Sequence, residues 1–234
     1  IMLLENLSIP GKPSWRLPGA GMISLLLLAG HGVAADDSYR DRGGGPDHAG
    51  MLTRGDGGLP GMAFVRPVLA GVLYRAGFRG GDKDRSGLSG EQRDALCEAG
   101  FSGARYVDFG TRTSYGTLSC GAGSLDYGKV SSSDTGALMQ DIHSVIKDPE
   151  KGPILVHCMW GVHSSGAVSA MALVQFCGWS EDQAKKYWNE ARNNAPCSGG
   201  CDEWIGAKFK HFRSDPALEI SAAEQRAICP QPGG

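Results

Sequence analysis

Ile154-Leu155-Val156-His157-Cys158-Met159-Trp160-Gly161-Val162-His163-Ser164-Ser165-Gly166 is the stretch on which the fold turns. The run that leads into it, Pro153 to His157, is short and almost fully apolar. A run without polar alternation suits a central strand buried on both faces. Gly161 permits a tight turn, because glycine tolerates positive φ and leaves room for a ligand. A helix follows from about His163 to Cys177, and Gly178 supplies its stop. Strand, short loop and helix place the loop's N–H groups and the helix N-terminus around one concavity that favours an anion. A cysteine at the start of that loop is stabilised as its thiolate. One arrangement can therefore hold a phosphate and present a nucleophile to it.

Working outward, Val68 to Tyr74 reads as strand-rich, and Ser89-Gly90-Glu91-Gln92 is a capping-box pattern that opens a helix ending near Gly100. Arg105 to Phe109 predicts a strand, and residues 110–132 a long polar loop of the kind that is functional or mobile. A helix follows Ser133 and Asp134, with Leu138, Ile142, Val145 and Ile146 spaced along one buried face, and ends at Lys147-Asp148-Pro149. Ser180-Glu181-Asp182-Gln183 is a second capping box, opening a helix with Tyr187 and Trp188. A last amphipathic helix holds Trp204, Ile205, Phe209 and Phe212, and Ser221 to Glu224 can cap a short terminal one. Strands before and between helices predict an α/β domain of three layers, with a central, mostly parallel sheet flanked by helices.

Composition bounds the partners. Glycine supplies 36 of 234 residues but with no G-X-Y period, which excludes collagen. The charge is balanced, with 23 Lys+Arg against 25 Asp+Glu, so nothing drives sequence-independent nucleic-acid binding. Residues 22–35, MISLLLLAGHGVAA, follow Lys12 and Arg16 and end in small residues, the pattern of a secretory signal. The apolar run is shorter than the roughly 20 residues of a membrane span, so no stable insertion of the mature chain is expected. The expected organisation is a leader over 1–35, a flexible glycine-rich segment over 36–63, a compact domain over 64–213 and an extension over 214–234, in a secreted or periplasmic protein. Seven cysteines are an odd number. With Cys158 left as the free thiol, Cys97, Cys120, Cys177, Cys197, Cys201 and Cys229 allow fifteen pairings, of which Cys197–Cys201 is the most local.

The loop resembles the signature of the cysteine-dependent phosphatases, the tyrosine and dual-specificity phosphatases with their inositol phosphatase relatives: His-Cys, five residues, Arg, then Ser or Thr, after a buried strand. His157, Cys158, Gly161 and Ser165 match in place, and Gly71-Val72-Leu73-Tyr74-Arg75 is similar to the first strand of dual-specificity members. The resemblance implies a strand–loop–helix phosphatase domain that needs no metal and no cofactor. Cys158 would attack phosphorus, Met159, Trp160, Gly161, Val162, His163 and Ser164 would cradle the phosphate, and Ser165 would hydrogen-bond the sulfur. His157 would orient the loop and tune the thiol. An aspartate some thirty residues upstream would protonate the leaving group; Asp126 fits that position, while Asp134 fits a helix cap. The partner would be a phosphorylated small molecule or a phosphoprotein.

One position departs. The signature arginine falls on Ser164. That arginine grips two phosphate oxygens, and losing one oxyanion-hole donor already costs about 3–4 kcal/mol. The expected activity is a weakened phosphate-monoester hydrolase on phosphoprotein, phosphoinositide or inositol phosphate. The alternatives are an inactive binder of phosphorylated ligands and a rhodanese-like sulfur transferase. Asp82-Lys83-Asp84-Arg85-Ser86-Gly87 resembles half a calcium loop but has Arg93 where the closing glutamate belongs, so it reads as a polar turn.

Overall fold

The computed structural model describes residues 59–78, 87–108, 116–121, 123–131, 135–148, 150–191 and 201–230. The leader, most of the glycine-rich segment, the 82–86 turn, Asp134 and Cys197 lie outside them. Six strands make one sheet: β1 Met62–Leu69, β2 Leu73–Phe78, β3 Gly103–Asp108, β4 Gly116–Cys120, β5 Gly123–Ser131 and β6 Ile154–Cys158. Their order is β1-β2-β6-β3-β5-β4. The four central strands run parallel, and β1 and β4 add antiparallel edges. Helices cover both faces: α1 Gly90–Glu98 on one, α2 Gly136–Lys147 and α3 Ser164–Cys177 on the other, with α4 Glu181–Ala191 and α5 Cys201–His211 packed into the same apolar cluster as α2 and α3. The three-layer α/β architecture read from the sequence is the one observed. Among the described residues no helix is long and apolar enough to cross a membrane.

The local signals that predicted elements are in place. Ser89 Oγ accepts from Gln92 N at 3.2 Å while Gln92 Oε1 accepts from Ser89 N at 2.8 Å, a complete capping box on α1. Ser180 and Gln183 repeat it on α4. On α2, Leu138, Ile142, Val145 and Ile146 are buried together. Gly178 ends α3 in the left-handed region, at φ 66°. The strand-rich Val68–Tyr74 region is the turn of a hairpin, with Gly71 at φ 69° between β1 and β2. One reading changes. The polar loop expected over 110–132 contains β4 and β5. On β5, Leu125 and Tyr127 face inward while Ser124 and Asp126 face solvent. That period of two is diluted by glycine and serine, so the polar outer face reads as loop.

All four parallel strands point their C-terminal ends the same way, which is where such sheets place ligands. Cys158 stands at that end of β6, between β2 and β3. β6 has parallel partners on both edges and helices over both faces, so its five residues are all buried, as its continuous apolar run leads one to expect.

Residues 214–230, expected as an extension, are tied to the domain. Leu218 is buried, Gln175 exchanges hydrogen bonds with the backbone of Asp215, and Lys147 pairs with Glu224 at 2.8 Å. A disulfide joins Cys177, at the end of α3, to Cys229, after the terminal helix α6 Ala222–Ile228. A second joins Cys97 to Cys120, and Cys158 is the free cysteine among the described residues. Cross-linking residues 52 apart restricts the unfolded chain by roughly 4 kcal/mol. Replacing Cys177 and Cys229 by alanine is therefore expected to lower the unfolding free energy by about 3–4 kcal/mol, measured in guanidinium under non-reducing conditions.

Candidate active site

The loop from Cys158 to Ser164 owes its shape to one backbone contact. Gly161 lies at φ 67°, and a Cβ there would come within 2.6 Å of Gly77 N, at the end of β2. The converse holds: a Cβ on Gly77 would meet Gly161 N and the Trp160 carbonyl carbon well inside van der Waals contact. Both positions need glycine, Gly161 for its dihedral and for space, Gly77 for space alone.

Three carbonyls of the loop are held on the side away from its concavity. Met159 O accepts from Phe78 N at 3.2 Å, Gly161 O accepts from Arg75 Nη2, and His163 O accepts from Trp188 Nε1 at 3.2 Å and from Ala167 N at 2.8 Å. In a planar trans peptide the next N–H points opposite to the carbonyl. The three anchors therefore aim the N–H groups of Trp160, Val162 and Ser164 to the other side. N–H groups turned to one side at the N-terminus of α3 are an arrangement able to receive an anion.

Cys158 is 6% exposed, and its sulfur lies 3.3 Å from Ser165 Oγ. Ser165 is fully buried, and its hydroxyl donates to Ala76 O at 3.3 Å. A hydroxyl has one proton, so Ser165 can donate to Ala76 O or to the sulfur but not to both, and either atom can be the donor in the sulfur contact. Ser169 Oγ bonds Ser165 O at 2.7 Å and stiffens this turn of the helix.

The structure separates the remaining expected site residues. His157 does not touch the loop through its ring. Successive strand residues face opposite sides of a sheet, so His157 points away from Cys158 into the cluster under α1. There it makes an edge contact with Phe78 at 4.7 Å and stacks on Tyr127 at 5.7 Å. Neither ring nitrogen has a hydrogen-bond partner, and burial pushes its pKa down to about 3. Asp126 is also not in the site. It registers with Gly103, which registers with Ile154, four residues before Cys158. That is about 13 Å along the strands, at the opposite end of the sheet. Its carboxylate instead pairs with Arg105 at 2.7 Å, and Arg105 also holds Asp141. Counting residues back from the cysteine ignores β4 and β5, whose fold-back carries Asp126 to the wrong end.

Trp160 packs with Ala63, Phe64 and Val162 beside the loop. Phe64 is in the left-handed region at φ 58°, a strained conformation for a bulky residue, and this kink in β1 turns its ring onto Val162. Ser164, in the signature arginine's place, is 3% exposed in the first turn of α3. Two contributors escaped the sequence reading, Gly77 and Arg75. An arginine inside the apolar strand Leu73–Phe78 was the available signal, since arginine is almost never fully buried without a reason.

The chain is similar in structure to dual-specificity and tyrosine phosphatases. No family model and no curated protein matches its sequence. Among solved structures, a mouse protein assigned as a dual specificity phosphatase, complexed with zinc tungstate, aligns at TM-score 0.44 and 19% identity, over 68% of this chain and 92% of its own. PTPMT1 in complex with PI(5)P aligns at TM-score 0.43 and 12% identity, over 64% of this chain and 96% of its own. The human tyrosine phosphatase-like serine/threonine/tyrosine-interacting protein aligns at TM-score 0.41 and 14% identity, over 62% and 94%.

The geometry around the Cys158 loop sets two expected outcomes. Gly77→Ala is expected to destabilise by about 1–3 kcal/mol, the range of overpacked sites, although its strand conformation suits any residue; urea unfolding against the harmless control Gly90→Ala measures it. His157 is neutral when folded and takes up a proton near pH 6.5 when unfolded. The unfolded state thus binds more protons between pH 6.5 and about 3, and stability falls as pH falls through that window. From pH 7.5 to pH 5 the loss is about 2 kcal/mol, at up to 1.36 kcal/mol per pH unit. His157→Phe should lack this slope in urea titrations at the two pH values.

Proposed function

We propose that the chain is a phosphate-monoester hydrolase working through a phosphocysteine, with turnover reduced by Ser164. The observation that carries this reading is the conjunction at one point of Cys158 Sγ, Ser165 Oγ 3.3 Å away, and a loop whose carbonyls at 159, 161 and 163 are held outward. A buried structural thiol needs none of these. In the reaction the Cys158 thiolate attacks phosphorus, the P–O bond breaks, and the leaving alkoxide takes a proton. Water then attacks the phosphocysteine, releasing inorganic phosphate and the thiolate, which Ser165 stabilises by donating its hydroxyl. The N–H groups of the loop hold the three non-bridging oxygens throughout. The proton donor for the leaving group has to come from the strand ends on the Cys158 side of the sheet, not from Asp126. Substrates of this chemistry are phosphoproteins, phosphoinositides or inositol phosphates.

Ser164 favours a second reading, a binder of phosphorylated ligands without turnover, because it keeps the cradle and removes the charged clamp. Export of the chain belongs to the proposal too. The Cys97–Cys120 and Cys177–Cys229 bridges support it, since disulfides persist in oxidising compartments.

Release of phosphate from an aryl phosphate tests the enzyme reading. Ser164→Arg is expected to raise the rate roughly 10²-fold, and Cys158→Ser in that background to abolish it. No activity in either arginine-bearing or unmodified protein, together with tight retention of phosphate, would establish the binder. Sulfur transfer from thiosulfate to cyanide without phosphate release would remove both readings.

A further inference from the structure

We propose that Arg75, which lies outside the loop, supplies the fixed positive charge that holds an anion there, taking over electrostatically what Ser164 cannot provide. The proposal rests on the anion-loop reading of residues 158–164.

Arg75 sits in the middle of β2 and is 0% exposed. Its neighbours in the strand, Leu73, Tyr74, Ala76 and Phe78, are apolar. Nη2 donates to Gly161 O, while Nε and Nη1 are buried without a hydrogen-bond partner. Among the described residues no carboxylate pairs with it. Guanidinium groups stay charged across the working pH range of proteins, and a buried charge is ordinarily paired or heavily hydrogen-bonded. Arg75 is neither, so its charge is uncompensated within the described fold.

Its position says what can compensate it. Arg75 and Gly77 share one face of β2, and Gly77 registers with Cys158, so Arg75 lies one step beneath the nucleophile. The guanidinium is lodged between Gly161, in the loop, and Gly166, in the first turn of α3. A Cβ on Gly166 would fall 3.0 and 3.1 Å from Nη2 and Nη1. Glycine at 166 is thus what admits the group to the underside of the loop. An anion seated on the concave side faces this cation across the loop backbone, in a buried setting where water screens little. The same guanidinium bonds Gly161 O and so aims the Val162 N–H at the anion. Arg75 is therefore a positioning residue with a charge: it shapes the cradle and neutralises its ligand, without contact to the reacting atoms.

Tungstate binding by titration calorimetry, with the anion-free melting temperature as a folding check, tests this on the unmodified chain and on Arg75→Lys, Arg75→Gln and Arg75→Met. The Gln variant keeps an N–H for Gly161 O but no charge. The expected result is that Gln and Met bind tungstate about tenfold more weakly, or worse, while Lys stays within about threefold of the unmodified chain, the scale of one charge-assisted bond. Binding by the Gln variant as tight as by the unmodified chain would overturn the role of the charge. Should Gln and Met fail to fold, Lys decides: a tenfold loss at unchanged melting temperature overturns the charge role, and retained binding supports it. Absence of tungstate binding by the unmodified chain would remove the anion-loop reading itself, and this proposal with it, whereas equal binding by the Gln variant removes only Arg75.

Discussion

Two backbones touch where the end of β2 meets the phosphate-loop candidate, and the site depends on that approach. Gly77 and Gly161 sit so close that neither could carry a Cβ. The contact lets Phe78 N reach Met159 O and lets the Arg75 guanidinium reach Gly161 O. Without it the loop would stand off the sheet, and nothing would decide which way its peptide units face. The direction of the N–H groups is thus set by the neighbouring strand as much as by the helix that follows.

That dependence explains why β2 lies beside β6. A parallel neighbour in register brings Ala76 opposite His157 and Gly77 opposite Cys158, so the strand supplies a carbonyl for Ser165, a gap for Gly161 and a cation for the loop from successive residues. The pleat then sorts β6. Cys158 faces α3 and the loop, while His157 faces the aromatic cluster of Phe78, Tyr106 and Tyr127. A histidine kept neutral by burial is there as a flat, polarisable filler under the loop's root. Any influence it has on the nucleophile passes through the backbone of β6.

The parts legible in the sequence were those whose signal is local. The apolar run of β6, the α1 and α4 capping boxes and the 3.6 period of α2 each state their structure within a few residues. The free thiol was legible for the same reason, because Cys158, Gly161 and Ser165 lie within eight positions. What failed was long-range. β4 and β5 are hidden by glycine and serine on their outer face, and without them Asp126 was assigned by counting back from Cys158. The strand register instead puts it beside Arg105 at the far end of the sheet. The Gly77 and Arg75 contributions arise from a pairing between residues about 80 positions away from the loop, and no local pattern announces which strand will lie next to which.

Arg75 and Ser164 are best considered together. In the signature that the loop resembles, an arginine at this position grips two phosphate oxygens directly. Here the helix side offers a buried hydroxyl, and the charge stands on the sheet side, behind the Gly161 carbonyl. A cation on the ligand side stabilises most when negative charge builds up on the transferring oxygens. A cation behind the backbone acts about equally on bound ligand and transition state, because its distance to them barely changes. By that reasoning the proposed Arg75 charge would strengthen the hold on a phosphate without adding to the rate, and the reduced turnover proposed for Ser164 would stay unrestored. Binding and turnover at this site would then depend separately on the two sides of the loop.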